Sequence, residues 1–312
     1  MKQHSGQELN PASASEKKVL ITGIDGFTGK YLEKKLVELG FDVFGTVIAD
    51  PANPDHSVCD IRDLKSITSV IKEVQPDFVI HLAAISFVGT NNVGLMHDVN
   101  VNGTANLLRS IVDSGLNPQK IIIAGSATVY GNQNSSVLDE TMLPQPVNDY
   151  GFSKYEAEKI AASYFDKLNI IVTRPFNYTG PGQAEPFLIP KIVNHFRQSA
   201  SCIELGNIQV AREFNHVDDV CNVYVRLMLS NAKSVVVNVC SGREVYLNDI
   251  LAILNKMAGY EIEVRVNQSF VRENEIFVLK GSNNLLNSLI SYSFQKDIGI
   301  TLHEMFFVDD NS

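Results

Sequence analysis

Tyr150 and Lys154 stand four residues apart in the run Tyr150-Gly151-Phe152-Ser153-Lys154, a spacing that puts both side chains on one face of a helix. A phenol titrates near pH ~10 in water and exchanges protons near neutrality only when cations stabilise its phenolate; an ammonium one helical turn away and a cationic cofactor ring are two such groups. The same spacing also describes an ordinary solvated helix face. Ser126 opens Ser126-Ala127-Thr128-Val129-Tyr130-Gly131, directly after the apolar run Ile121-Ile122-Ile123-Ala124 and Gly125. That places its hydroxyl at the carboxyl end of a strand, the edge where doubly wound sheets bind ligands, and there it can hold a reacting oxygen. His81 closes the strand-like run from Phe78 at the same edge, and is expected to be a packed strand-end histidine more than a catalyst.

These side chains need a sheet to position them. Val19-Leu20-Ile21-Thr22 reads as a strand running into Gly23-Ile24-Asp25-Gly26-Phe27-Thr28-Gly29, after which Leu32, Leu36 and Leu39 recur at helical spacing. In a GxxGxxG turn between strand and helix, the missing side chains let the backbone approach a pyrophosphate and the helix N-terminus supplies positive partial charge. A plain tight βα turn is the alternative. Apolar strands then recur at 43–47, 78–82, 121–124 and 170–173 between amphipathic stretches. This alternation predicts an α/β fold, a Rossmann doubly wound parallel sheet covered on both faces, with a smaller α/β lobe after it. A helix is expected over 150–168. The second strand ends Thr46-Val47-Ile48-Ala49-Asp50, with an apolar residue where a dinucleotide site carries a ribose-binding carboxylate, so NAD and NADP stay open. Asp60-Ile61 suits a turn beside an adenine, or equally a surface helix cap. Beyond Arg174, four prolines (Pro175, Pro181, Pro186, Pro190) break the rhythm; a helix is expected over 190–199, and 234–239 reads as a strand returning to the main sheet. The expected organisation is a flexible tail over 1–15, a cofactor domain over 16–174 with a return segment near 214–241, and a substrate lobe from 175–213 and 242–312.

A chain of 312 residues with 45% hydrophobic content is long enough to bury a sizeable core. Its formal net charge of −9 argues against a nucleic-acid surface or a polybasic membrane patch, since both need clustered Lys and Arg. An anionic ligand then has to be met by a few placed cations. Cys59, Cys202, Cys221 and Cys240 are widely spaced, which suggests neither a metal knuckle nor a disulfide framework and fits reduced thiols in a cytoplasmic protein. The first residues lack the apolar core of a signal peptide, and no apolar run approaches the ~20 residues of a membrane span.

Taken in order, GxxGxxG, His81-Leu82-Ala83-Ala84, Asn100-Val101-Asn102-Gly103-Thr104, the Ser126–Gly131 run, Tyr150 to Lys154 and Arg174-Pro175-Phe176-Asn177 resemble the extended short-chain dehydrogenase/reductase family of nucleotide-sugar epimerases, dehydratases and reductases. The likeness runs from Lys18 to about Val308. It implies that Tyr150 donates or accepts the proton, that Lys154 binds the nicotinamide ribose and lowers the Tyr150 pKa, and that Ser126 hydrogen-bonds the sugar oxygen. It further implies an NAD or NADP held by Gly23, Gly26, Phe27, Thr28 and Gly29, by Asp60 and Ile61, by Leu82, Ala83 and Ala84, and by Asn100, Tyr150, Lys154 and Pro175. The substrate, a nucleotide-diphosphate sugar, would meet Ser86, Ser126, Thr128, Asn177, Arg212 and Arg272, with Gly206, Asn207 and Val210 near the base. For Arg212 a surface salt bridge with Glu213 is the plainer alternative.

Within the family, dehydratases carry an acidic residue just after the serine or threonine, whereas this chain has Ala127 and Thr128; without a carboxylate to protonate the leaving hydroxyl, dehydration is disfavoured. The Ser126–Gly131 wording looks like UDP-galactose 4-epimerases. The runs 174–183, 203–207 and 211–214 look more like GDP-4-keto-6-deoxymannose reductases, and carry more weight because they span the substrate lobe. The expectation is therefore an NAD(P)H-dependent reductase of a GDP- or dTDP-linked 4-keto-6-deoxyhexose. A UDP-sugar 4-epimerase with tightly bound NAD and a non-catalytic dinucleotide sensor are the alternatives. The family likeness also implies a homodimer, paired through the helices that begin near Asn100 and Tyr150.

Overall fold

The computed structural model describes residues 16–86, 92–133, 135–270 and 278–307. Arg272 lies outside the described residues. The first half builds β1 (Lys18–Thr22), α1 (Phe27–Glu38), β2 (Asp42–Val47), β3 (His56–Val58), α2 (Leu64–Val74), β4 (Phe78–His81), α3 (Gly103–Asp113), β5 (Lys120–Ala124), α4 (Asp149–Ala162) and β6 (Ile170–Pro175). Helix α5 (Val217–Leu229) and strand β7 (Val235–Val239) follow the first part of the second lobe. The strands form one seven-stranded sheet in the order β7-β6-β5-β4-β1-β2-β3, and every pairing in it is parallel. The chain thus forms the Rossmann-type α/β fold.

The strands read as unbroken apolar runs because both faces are covered. Val19, Ile21, Ile80 and Ile122 pack with α1 and α5 through Leu32, Leu36, Val220 and Tyr224. Their strand neighbours Leu20, Val79, Ile121 and Ile123 pack on the other face against Ile67 and Ile71 of α2 and Leu107 and Ile111 of α3. Each fully buried side chain of this kind contributes about 1.5–3 kcal/mol relative to exposure. Helix α4 is shorter than the expected 150–168. Ser163 hydrogen-bonds the Ile160 carbonyl at 2.7 Å, a local bond that competes with helix continuation, and the chain turns before Leu168.

Strand β7 pairs with β6 from Val235↔Ile171 to Val239↔Pro175, so the first part of the second lobe is inserted between neighbouring strands of the main sheet and the rest follows β7. That lobe has its own core, where Ile189, Ile192 and Phe196 of the helix Leu188–Arg197 meet Leu247, Ile250 and Leu254 of Leu247–Ala258 and Leu302 of Ile298–Phe307. Leu286 and Ile290, within the stretch assigned by sequence to the lobe, pack instead in the core of the main sheet. A small four-stranded sheet joins Val245–Tyr246, Ala211–Arg212, Val278–Gly281 and Val137–Leu138. Among the described residues no helix is long and apolar enough to cross a membrane, and the four cysteines are unpaired.

Candidate active site

The glycine turn sits against the end of β2 and the segment after β4. Gly23 has φ +71°, and a Cβ there would come within 2.9 Å of the Ala83 Cα; both the backbone conformation and the close approach require glycine. A Cβ on Gly29 would lie 2.4 Å from the Ile24 carbonyl oxygen, so the first turn of α1 closes onto the loop only because that side chain is absent. Gly26 caps α1 with no side-chain hydrogen bond, and no acidic residue occupies the first helical turn. The first amides of α1, at Phe27, Thr28 and Gly29, therefore keep the positive end of the helix for an anion, a cradle that fits a dinucleotide pyrophosphate. Asp60 does not cap α2. Its carboxylate accepts from Arg62 Nε at 2.9 Å and Nη2 at 2.6 Å, and is held below the usual carboxylate range by that guanidinium. The cap is Asp63, which accepts from the Lys65 amide. Ile61 is buried against Gly103, whose Cβ would sit 2.7 Å from Ile61 Cγ2.

A buried chain of hydrogen bonds links this loop to the catalytic helix. Thr104 donates its hydroxyl to the Asn100 carbonyl at 2.7 Å, so at the 3.0 Å contact with His81 Nε2 the ring must be the donor. Nδ1 then accepts from Thr22 Oγ1 at 2.7 Å, and the same oxygen receives the Ala83 amide at 3.3 Å. Burial drives the His81 pKa down to about 3, with the Lys154 charge adding to it, and the ring is a neutral structural link, in keeping with the sequence reading. Asn100, 2% exposed in a π-helical turn, bonds both the amide and the carbonyl of Ile85 at 2.8 and 3.1 Å and donates to Ser153 Oγ at 3.0 Å. Both of its amide hydrogens are committed to the protein. Leu82 and Ala83 form the wall of the glycine turn, Ala84 is half-buried beside them, and Ser86 is exposed.

The sequence-predicted triad comes together at the carboxyl edge of the sheet. Asn148 caps α4 by accepting the Gly151 amide at 2.8 Å, which sets Tyr150 in the first turn, where the helix dipole favours a phenolate. Lys154, 7% exposed, donates to the Ala124 carbonyl at the end of β5, at 2.8 Å. Burial pulls its pKa down to about 8. Burial pushes the Tyr150 phenol well above its ordinary value, while hydrogen bonding to Ser126 pulls the other way. Without a cofactor, the tyrosine is a neutral proton donor. Beneath it, Arg174 at the end of β6 forms a buried two-point ion pair with Glu158 of α4, at 2.9 and 2.5 Å, and its guanidinium lies 4.7 Å from the centre of the Tyr130 ring.

Pro175, predicted at the cofactor, ends β6; of the predicted substrate residues, Asn177 is exposed just beyond it and Arg212 lies half-buried in the small sheet. Glu213 is not a surface partner for Arg212. It is 1% exposed and accepts from the amides of Gly281, Ser241 and Gly242 at 2.6, 2.8 and 3.2 Å. Gly206 packs closely on the Phe270 carbonyl, Asn207 accepts the Gln209 amide, and the Val210 carbonyl accepts the Leu247 amide. Sequence reasoning missed Thr22, Thr104, Ser153 and Glu158. Only Thr104 and Glu158 carry a local signal, each standing four residues after a residue already singled out, Asn100 and Lys154.

A Rossmann sheet with this glycine turn and a Ser-Tyr-Lys set at its carboxyl edge defines an NAD(P)-dependent enzyme of the extended short-chain dehydrogenase/reductase type. A family model for GDP-mannose 4,6 dehydratase matches residues 20–284. The chain belongs to that family. It is 35% identical to GDP-6-deoxy-D-talose 4-dehydrogenase of Aggregatibacter actinomycetemcomitans over 93% of this chain and 97% of the relative. It is 30% identical to GDP-6-deoxy-D-mannose reductase of Pseudomonas aeruginosa over 86% of this chain and 90% of that one. Among solved structures, RMD from Pseudomonas aeruginosa complexed with NADPH superposes with a TM-score of 0.82 at 28% identity, covering 93% of this chain and 97% of that one.

Proposed function

We propose that the chain is an NAD(P)H-dependent reductase of a nucleotide-diphospho-4-keto-6-deoxyhexose, GDP-linked in the first instance. The observation that carries this reading is the donor set at the carboxyl edge: a half-buried neutral phenol at Tyr150 beside the buried Ser126 hydroxyl and Lys154 ammonium, with Ala127 and Thr128 and no carboxylate following Ser126. The two relatives named as a GDP-6-deoxy-D-talose 4-dehydrogenase and a GDP-6-deoxy-D-mannose reductase support it. Gly23, Gly26 and Gly29 with the first amides of α1 would hold the dinucleotide by its pyrophosphate, and its reduced nicotinamide would supply the hydride that C4 of the keto sugar takes up. Tyr150 gives its proton to the carbonyl oxygen as that oxygen gains charge, Ser126 orients the same oxygen by hydrogen bonding, and Lys154 holds a positive charge one helical turn from the phenolate that results. Solvent then returns the proton to Tyr150, so ketone, hydride and proton become a secondary alcohol. Asn177, Arg212 and Arg272 are the proposed diphosphate contacts, since an acidic chain needs placed donors for an anion. A homodimer belongs to the same reading, with Phe152 of α4 51% exposed on the outside of the protomer.

The test follows the loss of reduced-nicotinamide absorbance for NADPH and NADH separately, against GDP- and dTDP-linked 4-keto-6-deoxy sugars. Turnover that depends on the keto sugar, and that falls by about 10²–10⁴-fold in Tyr150→Phe with the fold intact, is the expected result. No oxidation across the panel, together with UDP-sugar isomerisation and NAD retained through purification, would replace the reductase by the epimerase.

A further inference from the structure

The 3-10 turn Ala127–Tyr130 starts on Ser126, and both donors of Thr128 point back at the serine. The Thr128 amide lies 3.2 Å and its hydroxyl 2.8 Å from Ser126 Oγ, each donating to it. A serine hydroxyl has two acceptor positions and one hydrogen. With both acceptor positions taken by Thr128, the O–H of Ser126 is what it has left to offer. The hydrogen of Thr128 is committed in turn. The turn cannot drift to relieve this arrangement: the Thr128 carbonyl abuts α4, 3.0 Å from where a Cβ of Gly151 would stand, and Gly131 ends the turn at φ +59° against the Gln145 carbonyl.

We infer that Thr128 is a positioning residue that fixes Ser126 as a hydrogen-bond donor to the 4-oxygen of the sugar, and that it does not itself bind the sugar. The inference rests on the catalytic reading of Ser126 and Tyr150. Two O–H donors then converge on one oxygen, an arrangement that matches a ketone, which accepts two hydrogen bonds and donates none. It replaces the direct sugar contact implied for Thr128 by family likeness.

The experiment compares Thr128→Val, Thr128→Ser and Ser126→Ala in steady-state reduction of the keto sugar, with cofactor affinity read by fluorescence titration and folding by thermal melting. Valine keeps the branch and the amide but removes the hydroxyl donor. Thr128→Val is expected to lower kcat about tenfold, a part of what a full donor to a developing oxyanion contributes. KM and cofactor affinity should stay within about twofold. Thr128→Ser restores kcat. A Thr128→Val enzyme with unchanged kcat beside an inactive Ser126→Ala enzyme overturns the positioning role, as does a large rise in KM at unchanged kcat, which is the mark of a direct sugar contact. If Ser126→Ala itself turns over normally, the catalytic reading fails first and takes this inference with it.

Discussion

Acidification should destabilise the fold through one buried ring. His81 is 4% exposed, donates from Nε2 to Thr104 and accepts at Nδ1 from Thr22. Burial, with the Lys154 charge adding to it, drives its pKa from 6.5 down to about 3, and protonating Nδ1 would also strand the Thr22 hydroxyl hydrogen. The unfolded chain takes up the proton as pH falls through about 6.5, whereas the folded chain resists until about 3, so stability is full above the first value and declines below it. Linkage between these limits gives a loss of about 2 kcal/mol on going from about pH 7 to about pH 5. That figure is insensitive to the lower pKa, because the folded ring stays neutral at both pH values. The assay is urea unfolding at the two pH values for the wild type and His81→Gln, whose amide can still donate to Thr104. Contributions that the two proteins share cancel in the difference. Should His81→Gln lose as much stability on acidification as the wild type, the neutral-link account of His81 is wrong.

The remaining expectations concern the cofactor cradle and the ion pair below the site. Gly29→Ala must push the Ile24 carbonyl away from a 2.4 Å overlap, an overpacking cost of about 1–3 kcal/mol, and should weaken dinucleotide binding at least tenfold in a fluorescence titration; affinity within twofold of the wild type would refute the cradle. Glu158→Gln leaves the Arg174 charge buried without its counter-ion and should cost about 3–5 kcal/mol in urea unfolding. A loss below about 1 kcal/mol would show that the Tyr130 ring alone can hold that guanidinium.

The parts of the site written in short motifs were legible before any coordinates, and the parts made by long-range contact were not. Gly23, Gly26 and Gly29 announce their turn because the strand before it and the helix after it are adjacent in sequence, and Tyr150 with Lys154 share a helix face by spacing alone. The relay through His81 could not be read, because Thr22 lies 59 residues away and Thr residues carry no motif. Glu213 looked like a surface partner for its neighbour Arg212; its true partner Gly281 stands 68 residues on, and nothing near Glu213 marks it as buried. The cap alternative for Asp60 went astray more narrowly, since two aspartates three residues apart both suit a cap and only the helix start at Leu64 selects Asp63.

The short strand Val137–Leu138 lies on the chain between β5 and the catalytic helix, yet it pairs with Lys280–Gly281 of the small sheet, where the amides of Lys280 and Ser282 donate to the carbonyls of Ser136 and Leu138 at 3.1 and 2.8 Å. Glu213 adds a second fastening by gripping Gly281 together with Ser241 and Gly242, just past the end of β7. Mechanically, the lobe is a bracket riveted to the frame at two points and not a door on a hinge. A clamshell opening has to shear backbone hydrogen bonds and uncover a buried carboxylate before any ligand moves. If Asn177 and Arg212 hold the diphosphate as proposed, ligand exchange falls instead to side chains such as exposed Asn177, and the same fastenings fix the spacing between the strand of Arg212 and the helix of Tyr150.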